Sequence, residues 1–197
     1  MSSPHAPAPA PPHASVAEPA RRRPDHAPRP EAATLMLRLW AAAVGAELIH
    51  QIISIISGFL DPSELLAASK ESLSDNPQFA DMPDAMLRLS VYVSIGLLGL
   101  LNLAIVGGLG AAVVLISRRG RTAPGAQRLL IVFSIFWAVR GLVILTAQAT
   151  YPGLPDWLVL LDGSLQIIIA VAGVLGIIFA RKPETVSYFD VDRGDER

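Results

Sequence analysis

Seven polar side chains interrupt stretches otherwise built of Leu, Ile, Val, Ala and Gly: Glu47, His50, Gln51, Asn102, Arg140, Asp162 and Gln166. Glu47, His50, Gln51 and nearby Ser54 follow an i, i+3, i+4, i+7 pattern, which sets them on one helical face. A carboxylate, an imidazole and a guanidinium held among amides can form ion pairs, pass protons or hold a small polar ligand. Other chemistries are not encoded. There is no glycine-rich phosphate loop, HExxH or GxSxG motif, and no serine has a His–Asp arrangement around it. His50 is the only histidine outside the first thirty residues, which argues against bis-histidine haem or a His-rich metal centre. The absence of cysteine removes disulfides, thiolate metal sites and a cysteine nucleophile. No metal, cofactor or enzymatic activity is expected, although a quinone or lipid headgroup could still be met by Glu47, His50 and Arg140.

The elements that must position these residues are membrane helices. Of 197 residues, 52% are hydrophobic and 17% charged, well below the roughly 25% charged residues of a soluble domain. A formal charge of −1 gives no basic excess for nucleic acid. A bilayer core about 30 Å thick needs about 20 apolar residues per helix, and four segments qualify: 34–60, 87–117, 128–148 and 157–180. The third tolerates Arg140 because its large aliphatic and Phe residues outweigh roughly +2.5 to +3.5 kcal/mol for one arginine. The expected fold class is all-α, a four-helix transmembrane bundle.

Cations set the orientation. Arg21, Arg22, Arg23, Arg29 and Arg38 precede or open the first span, Arg118, Arg119, Arg121 and Arg128 flank the 118–127 loop, and Arg181 and Lys182 follow the fourth span. The positive-inside tendency makes that side the cytoplasm, with both termini inside and the protein in the cell inner membrane. The 61–86 loop is acidic, with Asp61, Glu64, Glu71, Asp75, Asp81 and Asp84 against Lys70, and the 149–156 loop carries only Asp156. The acidic spacing matches no EF-hand loop. Asp61-Pro62-Ser63-Glu64 reads as a helix start, predicting a short helix to about Ser74 with an apolar stripe at Leu65, Leu66, Ser69 and Leu73. Trp40 and Trp157, near opposite ends of their spans, read as interfacial anchors.

Small residues four apart mark faces where membrane helices approach closely: Ala41/Gly45 and Ala42/Ala46, then Ala104/Gly108/Ala112 and Gly107/Ala111, then Ala172/Gly176/Ala180. Counting a 1.5 Å rise from the cytoplasmic ends places Glu47 and Arg140 about 18 Å deep, and His50, Asn102 and Gln166 at roughly 21 to 23 Å. Glu47 is therefore expected to pair with Arg140, with His50, Gln51, Asn102 and Gln166 adding hydrogen bonds. Asp162, at about 27 Å by the same count, is expected nearer the outer boundary and wetted.

Residues 1–33 read as a disordered cytoplasmic tail, since the first thirty hold nine prolines and seven alanines and can bury nothing. Arg21-Arg22-Arg23 is followed by Pro24 and Asp25 rather than an apolar run, so no export signal is expected. Residues 181–197 read as a second disordered tail, in which Val186, Tyr188 and Phe189 could dock on a partner. The layout, a Pro/Ala/Arg-rich tail, four short-looped spans and 14 Arg to 2 Lys, resembles the small four-span membrane proteins of GC-rich actinobacteria. Some of these are accessory subunits of the cytochrome bcc–aa3 respiratory supercomplex. The resemblance implies a non-enzymatic accessory or assembly subunit whose partners are the lipid bilayer and other membrane subunits, or itself. The alternative is a small transporter or proton/ion-conducting protein using the Glu47, His50 and Arg140 layer.

Overall fold

The computed structural model describes residues 28–74, 83–119, 122–146 and 155–194. Six helices run through them: α1 (Glu31–Leu60), α2 (Ser63–Ser74), α3 (Asp84–Ser117), α4 (Ala123–Thr146), α5 (Asp156–Ala180) and α6 (Pro183–Gly194). α1, α3, α4 and α5 are long and apolar enough to cross a membrane. Of the expected disordered tail 1–33, residues 1–27 lie outside the described residues, as does the stretch from 147 to the end of the third expected span, whereas 31–33 open α1 with Ala32 and Ala33 buried rather than belonging to a disordered tail.

One local device starts most of these helices. Pro30-Glu31, Pro83-Asp84, Pro155-Asp156 and Pro183-Glu184 each place a carboxylate in the first turn after a proline. Pro30, Pro83 and Pro155 hold extended backbone angles, with ψ of 146°, 137° and 138°. Proline ends what precedes it, and the acid faces the positive end of the helix dipole. The start of α2 is built differently. The Asp61 carboxylate accepts the Ser63 backbone N–H at 3.1 Å, and the Pro62 carbonyl takes the first helical bond from Leu66 N. That contact with Ser63 holds the Asp61 carboxyl below its ordinary value. α2 ends at Ser74 and packs on α3, with Leu66, Ser69 and Leu73 half-buried.

Packing runs α1 against α3, α3 against α4, α4 against α5 and α5 against α1, a closed ring in chain order. α1 and α4 therefore face each other across the bundle. Core residues repeat every three or four positions, as in Ala33, Met36, Trp40, Ala43, Glu47 and His50 on α1. Glycine admits the largest of them. A Cβ on Gly176 would lie 2.6 Å from Trp40 Cδ1, and one on Gly99 would lie 2.7 Å from Ile55 Cγ1.

Three further expectations require correction. Trp40 is fully buried rather than interfacial, because the Ala172/Gly176/Ala180 face of α5 leaves room for an indole. Trp157 is 64% exposed at the start of α5, where an interfacial anchor would stand. Of the other small-residue faces, Ala112 is buried, but Ala41, Ala42, Gly45, Ala104, Gly107, Gly108 and Ala111 are exposed, because larger side chains fill the seams of α1 and α3. Residues 183–194 form a helix rather than a disordered tail. Arg119, with φ of 53° after the end of α3, donates Nη2–H to the Tyr188 carbonyl at 2.8 Å and lies 3.8 Å over the Tyr188 ring. Phe189 packs on the core and Thr185 is fully buried, so α6 is docked on the bundle.

Candidate functional site

Across the α1–α4 diagonal, the Glu47 carboxylate meets the Arg140 guanidinium fork to fork. Nη1 donates to Oε1 at 2.9 Å and Nη2 to Oε2 at 2.5 Å. Gln51, one turn further along α1, donates Nε2–H to Oε1 at 2.8 Å. Glu47 is 4% exposed, a setting in which a lone carboxylate would be strongly disfavoured and a bidentate guanidinium is the strongest available partner. The price is visible at Arg140 Nε, which is buried without a hydrogen-bond partner.

His50 and Asp162 form a second pair, joining α1 to α5, with Nδ1 and Oδ1 2.5 Å apart. Gln166 donates Nε2–H to Asp162 Oδ2 at 2.7 Å. The two pairs share one turn of α1, so a single helix face holds two carboxylate sites through Glu47, Gln51 and His50. A third contact lies further toward the α6 end, where Trp40 Nε1–H donates to Ser134 Oγ at 3.1 Å with both residues fully buried.

The arrangement differs from the sequence expectation in three respects. His50 and Gln166 bind Asp162 rather than the Glu47–Arg140 pair, and Asp162 is paired rather than simply wetted. The depth count separated Asp162 from His50 because it ignored helix tilt and side-chain reach, which together exceed the rise of a few residues. Asn102 joins neither network and makes no hydrogen bond to the described residues. It lines a cleft instead.

Two clefts flank the C-terminal half of α1 beneath α2. One, of about 210 Å³ between α1, α2 and α5, has Asp162 in its wall and Ser54, Ser57, Asp61 and Glu64 along it. The other, of about 270 Å³ between α1, α2 and α3, is lined by Gln51, Ser54, Ser69, Ser90, Ser94 and Asn102 together with apolar side chains. From the polar layer toward α6, the bundle is closed by Met36, Trp40, Leu109, Ile116 and Leu130, each at most 2% exposed. The sequence pattern places Ser54 on the Glu47 face, but the other cleft serines were missed as site residues. Ser90 and Ser94 share the four-residue spacing that singled out the charged residues, and that repeat was the available signal.

Among the described residues the structure is all-helical, and its four long apolar helices suit a multi-pass membrane protein. Compared with protein-family models, curated proteins and solved structures, the chain matches none. Among the described residues no group of His, Asp and Glu is arranged to hold a metal ion.

Proposed function

We propose that the chain is a non-enzymatic accessory or assembly subunit of a larger membrane complex, inserted with both termini in the cytoplasm. The observation that carries this reading is the outer face of α3. Ala104, Gly107, Gly108 and Ala111 are exposed, and a Cβ added at Gly107 or Gly108 would meet nothing within 4 Å. Small residues left open on a spanning helix suit the close approach of another helix, while the Glu47 and Asp162 carboxylates are each paired inside the chain. Orientation is supported by charge. Arg29, Arg38, Arg118, Arg119, Arg128, Arg181 and Lys182 gather at the α6 end, whereas Asp61, Glu64, Glu71, Asp84 and Asp156 outnumber Lys70 and Arg88 at the α2 end. The layout resemblance makes a respiratory complex the first place to look.

The test is native purification in mild detergent followed by mass spectrometry. Partners of fixed stoichiometry should co-purify with the unaltered chain and be lost with Gly107→Leu/Gly108→Leu, at positions where an added Cβ meets nothing in the bundle. Recovery without partners, or partners indifferent to that double change, would overturn the reading. A second reading rests on the cleft that reaches Asp162, which gives a titratable pair access from the α2 end and suits proton or ion handling. It requires Asp162→Asn to abolish flux in proteoliposomes without loss of protein.

A further inference from the structure

The two clefts beside α1 differ in charge although they share Ser54, Gly58 and Leu65. The α1/α2/α5 cleft carries Asp61, Glu64 and Asp162. Among the described residues the α1/α2/α3 cleft is lined by no ionisable side chain, only by amides, hydroxyls and hydrocarbon. Its polar groups are also the ones with unused capacity. Asn102 has no hydrogen-bond partner among the described residues, so its amide can donate and accept. Gln51 spends Nε2–H on Glu47, leaving its carbonyl oxygen. Ser90 and Ser94 donate to the carbonyls of Leu87 and Ser90 at 2.7 and 2.8 Å, leaving their oxygens as acceptors.

The walls are Ile55, Val91, Ile95 and Leu98, and Leu98, 58% exposed, stands at the rim on the outer surface of α3. In a spanning bundle that rim faces acyl chains, so what enters sideways comes from the bilayer. An unpaired amide at such a depth costs free energy until something fills its valences. A volume of about 270 Å³ holds a polar head and not a whole lipid, so an attached chain would leave past Leu98.

We propose that the α1/α2/α3 cleft binds one uncharged amphiphile, whose carbonyl or hydroxyl head is held by the amides of Asn102 and Gln51 while its apolar chain lies along the α1–α3 seam. A charged headgroup is disfavoured because the described residues of the cleft offer it no counter-charge. A lipid-soluble quinone and a neutral acylglycerol share the required chemistry. The inference depends on the four spans lying in lipid and not on the accessory role.

The experiment uses the full chain in phosphatidylcholine nanodiscs, with decylubiquinone or dioleoylglycerol added and adducts counted by native mass spectrometry. The unaltered chain should take up one equivalent of at least one probe, and the probe retained names the source. Asn102→Leu should weaken uptake about tenfold, the scale of one lost hydrogen bond at an otherwise unsatisfied site. Leu98→Trp changes an exposed rim residue and so keeps the fold; it should block uptake even if Asn102→Leu fails to accumulate. Leu158→Trp, in the acidic cleft, should leave uptake unchanged. Absence of adducts with both probes, or adducts that survive Leu98→Trp, would overturn the proposal.

Discussion

Glu47 and Arg140 join two helices that face each other across the ring, so their fork-to-fork contact acts as a strut through the middle of the bundle. Arg140→Leu would leave a carboxylate that is 4% exposed with only Gln51 as donor. Breaking such a pair on one side costs about 3–5 kcal/mol, whereas replacing both partners is far milder. Thermal unfolding in detergent should show a large loss for Arg140→Leu and a smaller one for Arg140→Leu/Glu47→Gln. Equal losses would mean the two side chains are not energetically coupled.

Glycines with and without neighbours provide an internal comparison. A methyl on Gly176 would run into the Trp40 indole, and overpacking of this kind costs about 1–3 kcal/mol. A methyl on Gly108 meets nothing, and alanine there gains helix propensity of about 0.5–1 kcal/mol. Melting temperatures measured side by side should fall for Gly176→Ala and hold or rise for Gly108→Ala. Two unchanged values would show that Trp40 is not seated on α5.

Much of this was readable before any coordinates. The spans were legible because runs such as Leu89–Ser117 carry no charge, and lipid leaves a spanning backbone few alternatives to a helix. The Glu47–Arg140 pair was legible because each ion is intolerable alone at its depth. Asp162 was harder: one-dimensional depth carries no tilt, and only three dimensions bring α5 to His50. Trp40 was misassigned because a tryptophan near a helix end fits a membrane interface and a glycine-lined core equally well, and the choice lay in Gly176, far along the chain. The helix at 183–194 was obscured by its acidic composition, since the contacts that hold it, Arg119 with Tyr188 and Phe189 with the core, are long-range.

Acid should loosen the start of α2 before it affects the bundle. The Asp61 carboxyl is held below its ordinary value by the Ser63 contact. Its contribution is therefore complete above the ordinary aspartate range and is lost only as pH falls through the depressed folded value. Amide exchange at Ser63 and Leu66 should accelerate over that acidic window, and Asp61→Ala should show fast exchange at every pH. An acceleration centred at or above the ordinary aspartate value would contradict the cap.

The cysteine-free sequence makes single-cysteine variants clean reporters of water and of sidedness. Maleimides react with the thiolate, which forms where water reaches the sulfur and is suppressed in apolar surroundings. Ser57→Cys lies in the acidic cleft, Ser134→Cys at a fully buried position and Ser187→Cys on the exposed side of α6. With both termini cytoplasmic, an impermeant maleimide added to intact cells should label Ser57→Cys and spare the other two. Permeabilised cells should add Ser187→Cys, and Ser134→Cys should stay unlabelled until the protein is unfolded. Labelling of Ser187→Cys in intact cells would invert the topology, and an inert Ser57→Cys would mean that the cleft is dry.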